Sequence, residues 1–332
     1  MFLVAMPSIR AMSTQSPQQA AAAAKHSMKG QSDVAIKAAK DFTISQRKKL
    51  KDLGALDIQR PLRITGEPIQ IAAMNGDDAS TSTSTSTAGA GTTTTTKVIH
   101  FQRHGQGFHN LICDIWREKG FPIDFDSKDP NVNPVIRSEF LDPPLTETGR
   151  QQCKDRRSEC AKMSPELVIV SPLLRCIQTA KLSFQDHCHP HTSTSTSTSS
   201  KIPIPWVSHE GCREELGLLV GNKRRPISEI QLDHPDIDFS PIEHDEDVLW
   251  DNYGSRRETL LEKSERIYDF LAEYVMNRPE KEIAIVCHSA YLFTLLNAVM
   301  DIEEDDLRYW FLTSEVRSMT VRFEANDKHV PN

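Results

Sequence analysis

Residues 98–325 predict an α/β domain built on a mainly parallel sheet, and three observations carry that prediction. Apolar, strand-sized runs at Val98 to Gln102, Glu166 to Val170 and Glu282 to Cys287 alternate with helix-length segments, the pattern of parallel strands joined by crossover helices. Each run delivers a charged or ionisable group just past its end: Arg103 and His104, then Arg175, then His288. Parallel strand ends converge on one edge of a sheet, where open α/β sheets bind ligands. The last segment, Ser318 to Glu324, alternates apolar and polar residues as an antiparallel edge strand would.

The 332 residues are 38% hydrophobic and 26% charged, an ordinary soluble composition with room for a sizeable core. No apolar run approaches the roughly eighteen residues of a membrane span. The expectation is a soluble intracellular protein, cytoplasmic or organellar, with no membrane partner. Residues 1–97 carry 12 Lys+Arg against 7 Asp+Glu, and residues 98–332 carry 27 against 39. An acidic main domain argues against nucleic acid as a partner. The seven cysteines are scattered, and Cys176 and Cys287 fall inside apparent core elements, as free thiols in a reducing compartment do. The tract His187-Cys188-His189-Pro190-His191 crowds its ligands into five residues without a distant second pair, so it reads as a polar loop and no metal is expected.

Residues 1–32 hold Arg10, Lys25 and Lys29 but no acid before Asp33, which reads either as an organellar presequence or as a disordered tail. Residues 33–75 have patchy helical periodicity and little to pack against, and 76–97 are dominated by Ser and Thr repeats that cannot bury a core. A boundary near residue 97 follows, with a catalytic domain over 98–325 and a tail over 326–332. A second Ser/Thr repeat at 192–200 reads as a surface insert, which slow growth of loop-closure entropy tolerates.

Within the domain, Leu145-Thr146-Glu147-Thr148-Gly149 is a turn that starts a helix at Thr146, running to about Met163. Pro172 suits a first helical turn and Arg175 falls near the positive end of that helix's dipole. Trp206 to Ser208 is a short strand. Residues 209–255 are Pro- and Asp-rich with one short helical pattern and read as a lid. Arg257 to Met276 is an amphipathic helix with Leu260, Leu261, Ser264, Ile267, Leu271, Tyr274 and Val275 on or beside one face. Ser289 is the expected N-cap of an apolar helix over 290–300.

Taken singly, each arginine is a surface residue and each histidine a satisfied core residue. Together, two guanidinium groups and two imidazoles at buried sheet ends have no packing reason to assemble, and they suit a phosphoryl group. Arg103-His104-Gly105, Asn110, the Leu145 to Gly149 turn, Ser171 to Ala180 and Cys287-His288-Ser289 resemble the histidine phosphatase superfamily, also called phosphoglycerate-mutase-like. The resemblance runs from about Val98 to Val321. Arg103 to Asn110, Cys212 to Gly217, Lys223 to Arg225 and Ile237 to Trp250 are similar to a eukaryotic branch labelled phosphoglycerate-mutase-like proteins. The resemblance implies a three-layer α/β/α sandwich with a lid insertion, a phosphohistidine intermediate, a small phosphorylated substrate, no metal and no cofactor.

Chemistry then gives each residue a task. His104 is the nucleophile, since a neutral imidazole can attack phosphorus and later leave. Arg103 and Arg175 present forked donors to the transferring group, His288 adds a donor as imidazolium, and Asn110 adds an uncharged one. Glu214 is taken as the acid that protonates the leaving oxygen and later draws a proton from water. Glu210 and Glu215 stand beside it, and registering Gly217 on the mutase pattern would put Arg213 at the acid's place. Gln106-Gly107 stands where mutases carry Glu-Ser, and Leu216 where they carry an aromatic, which favours a phosphatase. The alternatives are a mutase-type isomerase and a phospho-ligand-binding module without turnover. Lys223, Arg224 and Arg225 are expected to bind a second anionic group of the substrate, and Glu243 to Asp247 to form an exposed face of the lid.

Overall fold

Strands β3 (Leu167–Val170) and β5 (Glu282–Cys287) show how the sequence produces the architecture. Successive side chains of a strand point to opposite faces, so a run with no polar member demands cover on both sides. The computed structural model, which describes residues 33–56, 58–69, 94–187 and 204–326, supplies it. Leu167, Ile169, Ile283 and Ile285 enter one core layer, with Ile99 and Phe101 of β2 (Thr95–Arg103). Val168, Val170, Ala284 and Val286 enter another.

The described residues form one six-stranded sheet in the order β1-β6-β2-β5-β3-β4, with β1 at Leu62–Pro68, β4 at Trp206–Ser208 and β6 at Val316–Ala325. The pairs β2·β5, β5·β3 and β3·β4 are parallel, and β6 runs antiparallel to both of its neighbours. In chain order the α-helices of the described residues are α1 (Asp33–Asp52), α2 (Phe108–Glu118), α3 (Glu147–Cys160), α4 (Leu174–Ser183), α5 (Ile227–Asp233), α6 (Val248–Tyr253), α7 (Leu260–Asp269), α8 (Ser289–Thr294) and α9 (Asp305–Arg308). Ile267 of α7 and Tyr291 and Leu292 of α8 cover one face of the sheet. Cys160 of α3 and Cys176, Ile177 and Ala180 of α4 cover the other. The result is an α/β/α sandwich. The capping box of α7 is complete, with Thr259 and Glu262 each satisfying the other's backbone N–H.

The boundary expected at residue 97 is corrected by the structure. Helix α1 lies on the domain, with Leu50 and Ala55 buried beside Phe293, and β1 pairs with β6 from Leu62↔Ala325 to Pro68↔Met319. Strand β6 is therefore interior, and β1 is the edge. The local signal is weak because β1 buries only Ile64 among its large side chains; its Gly66 lets Met300, Ile302 and Met319 close over the strand. The helix after β5 begins at Ser289, so His288 takes the N-cap position expected for Ser289. Helices α7 and α8 each end in a wider π turn, Phe270–Val275 and Leu295–Val299.

The Ser/Thr insert at 192–200, the tract at 188–191, the tail at 327–332 and the 1–32 segment lie outside the described residues. The six described cysteines are free and buried. Among the described residues no helix is long and apolar enough to cross a membrane.

Candidate active site

His104 is the first residue beyond β2, and the sheet still holds it: its N–H donates to Cys287 O at 3.0 Å and its carbonyl accepts from Ser314 N at 3.1 Å. The side chain is buried, and Nδ1 donates to Gly105 O at 2.6 Å. A carbonyl oxygen only accepts, so Nδ1 carries the proton and Nε2 keeps its lone pair. Burial, reinforced by Arg175 and Arg103, holds the ring well below the usual imidazole pKa, so it is neutral at pH 7.

Arg103 and Arg175 supply the positive field. Arg103 Nη1 donates to Phe311 O at 2.7 Å; Arg175 Nη1 donates to Gly221 O at 2.7 Å and its Nη2 to Asn222 Oδ1 at 3.0 Å. Those bonds fix both planes. The Nε of each is buried without a partner among the described residues, a state that costs about 1–3 kcal/mol per group in a protein interior. Burial lowers Arg103 to about 10, which leaves it charged at neutral pH. Two fixed guanidinium groups with donors to spare are suited to a tetrahedral anion.

The turn that carries His104 is seated on α3. Thr146 N donates to Gln106 O at 2.9 Å, and Thr146 Oγ1 caps α3 by accepting from Gly149 N at 3.0 Å. The two backbones approach so closely that a Cβ at Gly149 would overlap the Gln106 carbonyl, and one at Gly105 would stand 2.6 Å from Gly149 O. Glycine is the residue that fits at both places. Helix α2 then starts from Gly107, whose N–H donates to Asn110 Oδ1 at 3.0 Å. With its oxygen so engaged, Asn110 offers its NH2 group to the cleft.

His288 stands behind His104, with ring centroids 5.2 Å apart and Nε2 2.8 Å from Ser171 Oγ. Burial, then Arg175 and His104, keep it well below the usual imidazole pKa. At pH 7 it is therefore neutral, where the sequence led to the expectation of an imidazolium; burial and the neighbouring Arg175 disfavour a further charge.

The three glutamates separate cleanly. Glu210 binds Arg213 and Arg224 at 2.8 Å each. Glu215 is buried between Arg257 at 2.6 Å and Lys263 at 3.3 Å; burial pushes its carboxyl up, but the two cations overcome that and hold it below the usual range. A carboxylate so held is a poor proton donor. Glu214 makes neither commitment. Its Oε1 accepts from Tyr291 N at 3.0 Å and its Oε2 from Ala290 N at 3.1 Å, so the start of α8 aims it. Arg213 is wholly buried, paired with Asp247 at 2.6 Å, and does not stand at the acid's place.

Arg103, His104, Asn110 and Glu214 line one cleft of about 2700 Å³. Arg175 and His288 reach the same centre from behind, where Arg175 lowers the pKa of His104 and His288 alike. The basic triplet does not join them. Lys223 pairs with Asp251 at 2.6 Å, and Arg225 reaches Asp142 and Asp233 at 3.5 Å each. Arg224 is buried, donating to Glu210 and to the carbonyls of His244 at 2.7 Å and Glu246 at 3.0 Å. The expected second anion site is thus corrected: Lys223 and Arg224 are tied by carbonyls and carboxylates of 244–251 that fold back onto them, and Arg225 by Asp142 and Asp233. Asp247 is likewise buried, while Glu243 to Glu246 are exposed.

One group escaped the sequence reading. His109, also lining the cleft, has its ring centroid 5.3 Å from that of His104. A helix start at Gly107 would have placed residues 108–110 beside the strand end.

The arrangement suits the handling of phosphoryl groups. A family model for the histidine phosphatase superfamily (branch 1) matches residues 129–330. Phosphoglycerate mutase-like protein 1 of Arabidopsis thaliana is 33% identical over 246 residues, 68% of this chain and 81% of that protein. A second Arabidopsis thaliana protein, named phosphoglycerate mutase-like protein, is 33% identical over 251 residues, 69% of this chain and 86% of its own length. Among solved structures, a mycobacterial glucosyl-3-phosphoglycerate phosphatase covers 69% of this chain and 98% of that one at 16% identity, with a TM-score of 0.39. The chain belongs to the histidine phosphatase superfamily.

Proposed function

We propose that the protein is a metal-independent phosphomonoesterase that works through a phosphohistidine on His104. The observation that carries this reading is the Nδ1–H bond of His104 to Gly105 O at 2.6 Å, which leaves Nε2 as the nucleophilic atom amid two arginines. In the first step the Nε2 lone pair forms a bond to phosphorus while the ester P–O bond breaks, and Glu214 gives its proton to the leaving oxygen. In the second, water attacks the phosphohistidine, its proton returns to Glu214, and the P–N bond breaks to release phosphate and neutral His104. Arg103 and Arg175 hold the non-bridging oxygens throughout, so fixed positive charge does the work that Mg²⁺ does in other phosphoryl-transfer sites. The substrate is a small phosphorylated molecule.

The roomy cleft supports hydrolysis over transfer, since a mutase must keep water from its phosphohistidine. The names of the Arabidopsis relatives favour a second reading, mutase-type transfer between two positions of one substrate.

Labelled phosphomonoester should leave an acid-labile, base-stable phosphoenzyme on the parent and none on His104→Ala, with turnover unchanged by EDTA. Glu214→Gln should slow an alkyl phosphate by about 10²–10⁴-fold, and p-nitrophenyl phosphate far less in the phosphorylation step, because phenolate leaves without a proton. A phosphoenzyme persisting in His104→Ala would sink the reading. Transfer of label from one position of a phosphoglycerate to another, faster than release of phosphate, would replace it with the mutase.

A further inference from the structure

We propose that His109 is a further catalytic residue, whose Nε2–H donates to a non-bridging oxygen of the phosphoryl group as that group moves onto and off His104. This rests on the phosphatase reading and adds a member to its site.

Position comes first. The His109 ring stands 5.3 Å from His104, nearly the 5.2 Å that separates His104 from His288. His109 and His104 both line the cleft, whereas His288 is wholly buried behind it. The nucleophile thus has one imidazole at its back and another on the side from which a substrate enters. His109 is also held in place: it lies in the first turn of α2, which Phe108 N anchors to Pro144 O at 3.2 Å and which Gly107 and Asn110 close.

The ring's orientation follows from its two nitrogens. Nδ1 is buried and has no partner among the described residues. That edge lies against Gly107, where an added Cβ would meet Nδ1 and Cε1 at 2.7 Å, so no acceptor fits there. An orphaned N–H is rarer and costlier in a protein interior than an orphaned lone pair. The proton therefore sits on Nε2, which is not a buried orphan and has no hydrogen bond among the described residues. Burial, with Arg175 and His104 next in importance, holds the ring well below the usual imidazole pKa, so it carries that one proton and no charge.

A neutral donor is what this place can use. Two guanidinium groups already supply charge, and a third cation in contact with His104 would compete for the lone pair that attacks. A single aimed N–H strengthens as charge gathers on the equatorial oxygens, which assists the transition state more than the bound ester. The His109 proton stays on His109. The proton needed by the leaving oxygen comes from Glu214.

The test compares His109→Phe, which fills the ring's volume without a donor, with His109→Gln, whose amide N–H reaches the same place. Both are made in the full chain and assayed with p-nitrophenyl phosphate and with orthovanadate as inhibitor. Expected for His109→Phe is a fall in kcat of about 10²-fold, the usual effect of one lost transition-state donor, with KM changed little. Vanadate should bind more weakly, and Tm should hold. His109→Gln should recover most of kcat and of the vanadate affinity. Should His109→Phe not fold, His109→Leu carries the same comparison. Wild-type kcat and vanadate affinity in His109→Phe would overturn the proposal, as would equal losses in Phe and Gln, which would mark a packing role. A parent protein that turns over no phosphomonoester would instead overturn the phosphatase reading.

Discussion

Two groups of cations in this molecule look alike as letters and differ in what surrounds them. Among the described residues Arg103 and Arg175 each keep an Nε without a partner, and both sit beside His104. Lys223, Arg224 and Arg225 are engaged by Asp251, Glu210, Asp142, Asp233 and the carbonyls of the 244–246 loop. The first pair has donors left over beside His104, whereas the charges of the triplet are answered by nearby carboxylates and carbonyls. Charge alone does not separate the two uses.

The sharpest test of that difference is Arg175→Lys. An ammonium keeps the charge but loses the fork and the open Nε, so kcat should fall by about 10²-fold or more while the protein stays folded. Near-normal turnover in Arg175→Lys would erase the distinction. Arg224→Ala should do the reverse. Removing it leaves Glu210 to Arg213 alone and frees four carbonyls, those of Arg225, His244, Asp245 and Glu246, lowering stability by about 1–3 kcal/mol in denaturant titrations, with kcat/KM of the folded protein unchanged. A selective loss of affinity for doubly charged substrates would restore the triplet as a second anion site.

Next in size is a pH effect. The folded-state pKa of His104 is depressed, so its protonation, and loss of the lone pair, begins only well below the ordinary value near 6.5. After correction for the substrate's own ionisation, kcat/KM should therefore stay level from pH 7.5 down through 6. Half-loss at 6.5 would mean that burial and the two arginines do not control the ring. Smallest of all, Lys223→Ala removes a partly exposed pair and should shift kcat/KM less than twofold and stability by at most about 1 kcal/mol.

What the sequence made legible follows the same division. Strands β3 and β5 are buried on both faces, so their composition alone announces a covered parallel sheet, and their ends announce the site. Ser/Thr-capped α3 and the amphipathic α7 were equally plain, although nothing in their letters foretold the π turn after α7. Helix α1 and strand β1 were not, because Leu50, Ala55 and Ile64 pack with residues such as Phe293 and Trp310 and with β6, more than two hundred residues away. Glu214 and Glu215 are neighbours in irregular backbone, and what distinguishes them is Arg257 and Lys263, supplied by a later segment. The engagement of Arg224 likewise depends on a loop twenty residues on.

The backbone contact between Gly105, Gln106 and Gly149 has a mechanical consequence. Most parts of a protein rest on one another through side chains, which can change rotamer and so let a joint creep. Here a peptide plane rests on a peptide plane with no room for a methyl group between them, and the spacing is set by van der Waals thickness alone. The seat of His104 is accordingly stiff, and warming should loosen the cleft walls well before it changes the distance from His104 to the arginines.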